Sequence, residues 1–315
     1  MATIYAPTTI DFSRLPRPQA IEALDFESLY GDFKTRFLAA WDELRADNPS
    51  LPEYDTLTLE ADPAGILGEA WSYLRLLDRQ RVNDAYVALL APLATGANLD
   101  AIAASRNLVR QVITPATSTT AAVMQSDASL LRDYLLSFDM PAAGSRDRYL
   151  FEAFRAWPQN DDKTVGLWDA RVNGHAVHGR KGDVDVVIVG PFGRLPTTGE
   201  LATVRTAVTA PKAKPEAVSV AVMPATRLEY QASLTIEIPP GPDPVLVVNE
   251  AKARVQAVAT ERTIIGGEIP TGLLSGAAYG SSIIKVRDEA PVAIAPDPYV
   301  VPVMMGIEII AEVRT

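Results

Sequence analysis

The stretch "PAGILGEAWSYLRLLDRQRVNDAYVALLA", residues 63–91, decides the fold of this chain. Asp62 precedes it and Pro63 opens it. An aspartate side chain caps free backbone N–H groups, and proline needs no donor at the first helical position. The stretch therefore predicts one helix of about 28 residues, roughly 42 Å long. Large apolar residues recur along it at helical spacing and form a stripe: Leu67, Trp71, Leu74, Leu77, Val82, Tyr86 and Leu89.

A shorter helix is predicted upstream, where "FESLYGDFKTRFLAAWDEL", residues 26–44, follows Asp25. Its aromatic stripe comprises Phe26, Leu29, Phe33, Phe37 and Trp41, at spacings of three and four. A large apolar side chain contributes about 1.5–3 kcal/mol when it is buried, and the shorter helix is too small to cover the longer one. We therefore expect the long helix to keep an uncovered apolar face.

That face predicts an interface with other chains. The predicted seam consists of Trp71, Leu74, Leu77, Val82, Tyr86 and Leu89. Arg79 and Arg81 cross the middle of the helix and are predicted to pair with acidic groups or helix ends of a partner. The alternative interpretation is that the aromatic stripe is ordinary core and that the two arginines lie on a solvated face.

The stretch "LATGANLDAIAA", residues 93–104, predicts a tight corner. Gly96 is expected to end the long helix and Asn98 to cap a short helix from Leu99 to Arg106. Downstream, alternating β-branched strands and amphipathic helices predict an α+β fold. The predicted organisation is an extended arm (1–20), a helical region with the long bundle-forming helix (21–115), a first α+β domain (116–225) and a C-terminal α+β domain (226–315).

Composition excludes several classes of protein. The net charge of -10 opposes nucleic-acid binding, which needs a basic surface to displace counterions. There is no cysteine, so disulfides and thiolate sites are excluded. The N-terminus lacks the pattern of a signal peptide, and no apolar run approaches the roughly 18 residues that a membrane span requires. We therefore expect no nucleic-acid partner and no membrane span.

Catalytic motifs are weak. His175 and His178, with Asp183 or Asp185 nearby, suggest a metal-dependent enzyme as an alternative, but the surrounding glycines predict an exposed hairpin tip. The adjacent carboxylates Asp161 and Asp162 are expected to be solvated, since no apolar neighbour would raise a pKa. We predict no catalytic, cofactor-binding or metal-binding residue, and no cofactor. A carbohydrate- or receptor-binding module is a third possibility, but aromatic residues concentrated in the N-terminal helices do not suit it.

Four blocks of sequence together resemble the baseplate J-like family. They are "LDFESLYGDFKTRF" (24–37), "RQRVNDAYVALLAPLATGANLDAIAASRNLVR" (79–110), "SDASLLRDYLLSFDMPAAGSRDRYLFEAF" (126–154) and "PGPDPVLVVNEAKARVQAV" (240–258). The most specific residues are Arg79, Arg81, Asn83, Thr95, Gly96, Leu99 and Asp100. In the block 126–154 the matching residues are Ser126, Asp127, Pro141, Gly144 and Tyr149. Where family members usually carry a β-rich region, this chain has only the segment 111–125, so it resembles a short member.

The resemblance implies a structural wedge subunit of a contractile tail, located in the baseplate of the virion and assembled in the host cytoplasm. The implied partners are a second copy of the chain, a smaller baseplate wedge protein, a sheath-initiator or lysozyme-like baseplate protein, and neighbouring wedges. In such a role the subunit joins wedges around a central hub and rearranges when the sheath contracts.

Overall fold

A computed structural model describes residues 22–314, so the predicted extended arm, residues 1–20, lies outside the described residues. The described chain divides into two compact units, residues 22–102 and residues 103–314. The fold class is α+β, with a helical N-terminal region and small sheets, as predicted. None of the helices in the described range is long and apolar enough to cross a membrane.

The first unit is helical, with α1 (Phe26–Asp47), α2 (Pro63–Ala88) and most of α3 (Gly96–Ala104). Asp25 caps α1 by accepting a hydrogen bond from the Ser28 N–H at 3.3 Å, and Asp62 caps α2, so both predicted helix starts are confirmed. α2 ends slightly earlier than predicted. Pro92 cannot donate to a continuing helix, and the Leu90 carbonyl instead accepts the N–H groups of Leu93 and Ala94.

The corner differs from its prediction in one respect. Gly96 adopts a φ of 54°, as its left-handed role required, but it is the first residue of α3 rather than the residue that ends α2. α3 therefore starts before Leu99, where its start was predicted, and ends at Ala104. The cause is the extra turn at Leu90–Ala94, which has already closed the end of α2.

The second unit begins with a short hairpin of β1 (Val112–Thr114) and β2 (Val123–Met124), followed by α4 (Asp127–Leu136) and α5 (Arg146–Ala156). A three-stranded sheet then forms from β3 (Asp169–Asn173), β4 (Asp183–Val189) and β5 (Ser219–Pro224). β3 is antiparallel to β4, with α6 (His175–His178) between them. β5 is parallel to β4 and follows α7 (Thr198–Val208).

A second three-stranded sheet has the order β7-β6-β8. Its long strands β6 (Thr226–Ile238) and β8 (Val300–Val313) are parallel, with a bulge at Tyr230/Gln231, and β7 (Lys285–Asp288) is antiparallel to β6. Between β6 and β7 lie α8 (Pro244–Arg262) and α9 (Leu273–Ala278). The buried face of α8 packs on the sheet through residues at helical spacing: Val247, Ala251, Val255 and Ala259.

The two sheets share part of their core. Val187 and Val189 of β4 form one cluster of buried side chains with Ala225, Ile265, and with Val301 and Val303 of β8. The segments predicted as two α+β domains, 116–225 and 226–315, therefore contribute to the same compact unit. The domain boundaries themselves stay predictions.

Candidate partner-binding surface

α2 packs against α1 through its smallest residues. Gly65, Gly68 and Ser72 are buried on one face of α2. A Cβ atom added to Gly68 would lie 2.3 Å from the ring of Phe33, and one added to Gly65 would lie 3.4 Å from the Tyr30 hydroxyl. The absence of a side chain at these positions lets the two helices approach closely. This small-residue face was not recognised in the sequence, although the spacing 65, 68, 72 follows one side of a helix.

The aromatic stripe of α1 is largely used within the unit. The Phe33 ring lies 5.8 Å from the Trp71 ring, and Phe37 contacts Tyr54 edge-on at 4.9 Å. Trp41 contacts Tyr54 at 5.1 Å and donates its indole N–H to the Pro52 carbonyl at 3.0 Å. These contacts lie within the unit, and of the stripe only Leu29 is fully buried while the four aromatic residues are half-buried.

Because the small face of α2 meets α1, most of the large apolar residues of α2 remain exposed. The predicted seam residues Trp71, Leu74, Leu77, Val82 and Leu89 are all exposed, Leu74 by 60% and Leu89 by 77%. Tyr86 is half-buried. Ile66, Leu67 and Tyr73 of α2 are also exposed, and the prediction of the seam omitted them. Leu67 belongs to the apolar stripe in the sequence, whereas Ile66 and Tyr73 fall outside it and only the packing of α1 reveals their exposure.

The two arginines differ in their environment. Arg79 forms an ion pair with Glu22 at 2.9 Å and donates to the Ala23 carbonyl at 3.3 Å, so its charge is used within its own chain rather than offered to a partner as predicted. Asn83, one helical turn further on, exchanges two hydrogen bonds of 2.9 Å with the backbone of Glu22. Together they hold the segment that leads into α1. Arg81 is exposed on the helix.

Asp62 holds the start of α2 with an unusually complete set of donors. Its carboxylate accepts the N–H groups of Ala64 and Gly65, at 2.8 and 3.0 Å. It also accepts the hydroxyls of Thr56, at 2.7 Å, and of Tyr54, at 2.9 Å. The Thr56 hydrogen bond is the main cause that lowers the pKa of Asp62. The loop before α2 is therefore tied to the helix end that it precedes.

The histidine loop does not assemble the metal site that the enzyme alternative requires. His175 and His178 lie at the ends of the single-turn helix α6. Asp185 is buried, and its carboxylate accepts hydrogen bonds from Arg180 at 2.6 and 2.7 Å and from the Tyr299 hydroxyl at 2.8 Å. Arg180 also binds Asp183 at 3.1 Å, so both expected carboxylate ligands are occupied. Within residues 22–314, no group of three His, Asp or Glu side chains could hold a metal ion.

Two sets of pKa shifts support a structural role for these acidic groups. Burial raises the pKa of Asp185, but hydrogen bonds from Tyr299 and Arg180 outweigh it, and the net pKa is lowered. Burial and the bond to Asp185 raise the pKa of Tyr299 to about 12. Asp161 and Asp162 are exposed, and hydrogen bonds from Thr164 lower the pKa of Asp162. A lowered pKa is the opposite of what a general acid needs.

The described residues thus leave apolar side chains of α2 exposed and assemble no metal site, and the comparisons with known proteins identify the class of protein. The chain belongs to the baseplate J-like family, whose members are structural proteins of the phage tail baseplate. The model of the baseplate J-like N-terminal domain matches residues 60–117, a range that contains α2 and the corner. The chain is 30% identical over 299 residues to baseplate protein J of Escherichia phage P2. This alignment covers 90% of the present chain and 91% of the phage P2 protein. The predicted family is thereby confirmed.

Proposed function

We propose that this chain is a wedge subunit of a contractile-tail baseplate and that α2 joins it to other baseplate chains. The observation that supports this proposal is the orientation of α2, which turns glycine and serine toward α1 and leaves its large apolar residues exposed. Contiguous exposed apolar surface on a soluble protein commonly marks an interaction site.

The energetic argument favours helices as the partner. Leu67 and Leu74 are two helical turns apart and each is exposed by at least 60%. Full burial of such a side chain contributes about 1.5–3 kcal/mol, so several of them supply enough free energy for a stable helix bundle. Trp71 lies between them and adds the aromatic area that is typical of interface hot spots. The proposed seam keeps Trp71, Leu74, Leu77, Val82, Tyr86 and Leu89, adds Leu67, and retains Arg81, which is exposed on the helix.

Family membership supports the identity of the partners. In this proposal a second copy of the chain and a smaller baseplate wedge protein complete the helical bundle, and neighbouring wedges and a sheath-initiator or lysozyme-like baseplate protein contact the rest of the molecule. The subunits assemble in the host cytoplasm, join wedges around the central hub, and pass between two discrete packings when the sheath contracts.

The experiment is co-expression of the full chain with the smaller wedge protein of the same particle. Leu67→Asp combined with Leu74→Asp places two negative charges on the seam, while the control Gln80→Asp adds one negative charge at an exposed polar position of α2. We expect the double variant to weaken the complex at least about tenfold, as measured by light scattering after size exclusion, and the Gln80 variant to assemble normally.

Circular dichroism of both variants checks that the helices remain folded. The proposal is wrong if the folded double variant binds the wedge protein as tightly as the unmodified chain does. It is also wrong if the unmodified chain stays a monomer in the presence of that protein at concentrations where baseplates assemble.

A further inference from the structure

Strand β8 forms one edge of the second sheet, whose order is β7-β6-β8. The first half of this edge is protected, because the Val300 carbonyl accepts the N–H of Gly266 at 2.8 Å and Pro302 has no N–H to offer. The second half, residues 307–313, reads "IEIIAEV" and contains neither proline nor a bulge. A regular, open edge of this kind offers its backbone groups to a strand of another chain.

The pairing with β6 shows which backbone groups of this second half point outward. The Arg314 N–H donates to the Ile238 carbonyl of β6 at 2.9 Å. Successive residues of a strand direct their N–H and C=O groups to opposite sides, so those of Ile309, Ala311 and Val313 point away from β6. Within the described part of the chain, no residue forms a hydrogen bond with these outward groups. They are therefore available to a further strand.

The side chains of the open edge alternate between the core and the opposite face of the sheet. Ile309 is buried in the core that α8 covers, and Ala311 packs against the same core. Ile310 points to the opposite face and is 55% exposed, and Val313 is 48% exposed at the end of the strand. Exposed apolar side chains on a regular edge favour association with another strand.

The charges along the edge restrict what can pair with it. Glu312 forms an ion pair with Arg287 of β7. Glu308 is exposed and has no ion-pair or hydrogen-bond partner among the residues that the structure describes. Arg314 follows the strand on the same face as Glu308, and its side chain is 62% exposed although it lies 3.5 Å from Glu237. A base directly opposite Glu308 would stabilise a strand pair, and an acid there would destabilise it.

We propose that the β8 edge pairs antiparallel with the β8 edge of a second copy of this chain, about a two-fold axis at Ala311. In this register Ala311 lies opposite the same residue of the second copy, and Ile309 lies opposite Val313. The outward N–H and C=O groups of these residues then form the ladder between the copies. The second unit alone provides this interface, which does not use the α2 seam.

Charge complementarity identifies a second copy as the partner. With the axis at Ala311, Glu308 of each copy lies opposite Arg314 of the other copy, so the two-fold symmetry forms the favourable pair twice. An axis at Ile310 would instead place Glu308 opposite Glu312, again twice, and like charges that face each other across a strand pair are unfavourable. The edge is therefore complementary to itself in one register and not in the adjacent one.

The experiment measures self-association of the full chain by sedimentation, with Leu67→Asp and Leu74→Asp present throughout so that the α2 seam does not contribute. We expect this parent chain to dimerise, and the exchange of the Ile309 and Val313 amide hydrogens to slow as the dimer forms. Ala311→Pro removes an outward N–H but no bond to β6, and edge strands tolerate proline, so it should abolish the dimer. Circular dichroism checks that this variant is folded.

An exchange of charges tests the register. Glu308→Lys and Arg314→Glu each place like charges opposite one another, so each should weaken the dimer at least about tenfold. The combined variant restores opposite charges and should dimerise within about threefold of the parent chain. Glu216→Lys is the control, because it makes the same charge change at an exposed position of the same unit, and it should leave the dimer unchanged.

Three results would overturn the inference. One is a parent chain that stays monomeric up to about 1 mM, which would rule out a second copy as the partner of this edge. Another is a folded Ala311→Pro variant that dimerises as tightly as the parent chain. The third is a combined charge variant that dimerises no better than the two single ones, or a Glu216→Lys control that is weakened as much as Glu308→Lys.

Discussion

Gly68 shows how a single residue can decide which face of a helix is covered. Because it has no side chain, Phe33 of α1 packs directly against the backbone of α2. Any larger residue would push the helices apart or rotate α2 about its axis. Such a rotation would bring the apolar residues of the seam toward α1 and reduce the surface that is free for other chains.

Gly68→Ala should therefore loosen the helix pair although alanine favours helix. The new Cβ would overlap the Phe33 ring, and overpacking of this kind typically costs about 1–3 kcal/mol. Gly31→Ala on α1 is the matched control, since nothing lies within 4 Å of its Cβ and the change should stabilise by up to about 1 kcal/mol. Hydrogen exchange of the α1 and α2 amides measures both effects. Equal protection in the two variants would contradict the packing argument.

Arg79 illustrates a residue whose environment the sequence does not reveal. Its position among Arg79, Gln80 and Arg81 predicts a charge directed at a partner. The acceptors that it uses, Glu22 and the Ala23 carbonyl, lie far upstream in the chain and reach it only after α1 has packed. Asn83, a residue of the family motif, forms hydrogen bonds with the backbone of this same upstream segment.

At the scale of elements, capping chemistry was predictable and packing was not. Asp62 and Pro63 mark the start of α2 because local hydrogen bonding alone decides a cap. The donors Tyr54 and Thr56 were not predicted, since they depend on how the preceding loop folds back. Likewise, the hydrogen bond between Asp185 of β4 and Tyr299, the residue before β8, was not predicted.

The bond between Asp185 and Tyr299 connects β4 to the start of β8 and should make stability depend on pH. The pKa of Asp185 is lowered in the folded state, so its contribution is present above the unfolded value of about 3.9 and is lost as the pH falls through the folded value. Asp185→Asn should cost about 1–3 kcal/mol at neutral pH, because it removes the charge that satisfies Arg180.

Urea unfolding of the unmodified chain and of Asp185→Asn, at neutral pH and near pH 3, provides the measurement. We expect the difference between the two proteins to shrink at low pH, as the pH falls below the unfolded pKa toward the lowered folded pKa of Asp185. Tyr299→Phe is the control that keeps the carboxylate and its Arg180 partner. A difference that is constant across this pH range would show that the charge of Asp185 does not stabilise the fold.

At the scale of the whole molecule, the described chain consists of two compact units, residues 22–102 and 103–314. The helical unit is small, and its internal packing uses glycine, serine and aromatic residues. Many of its large aliphatic residues therefore remain exposed. The second unit buries the larger share of the aliphatic residues around two sheets. This division fits a protein that assembles through one part and keeps its shape through the other.

The proposed rearrangement can be tested with single engineered thiols, because the chain has no cysteine of its own. Leu67→Cys on α2 and Leu246→Cys on α8 occupy exposed positions on the two units. We expect thiol-directed cross-linking and mass spectrometry to identify different neighbours in extended and contracted particles for at least one site. Identical cross-linked peptides in both states, at both sites, would contradict a change of packing.

The sequence by itself determined the starts of α1 and α2, the α+β class, the family and the surplus of apolar residues on α2. These follow from periodicity, caps and motifs, which depend on neighbours along the chain. Only the tertiary structure decided which side of α2 is covered and that Arg79 is used internally. Those outcomes depend on contacts between residues far apart in sequence, and a single sequence does not reveal such contacts directly.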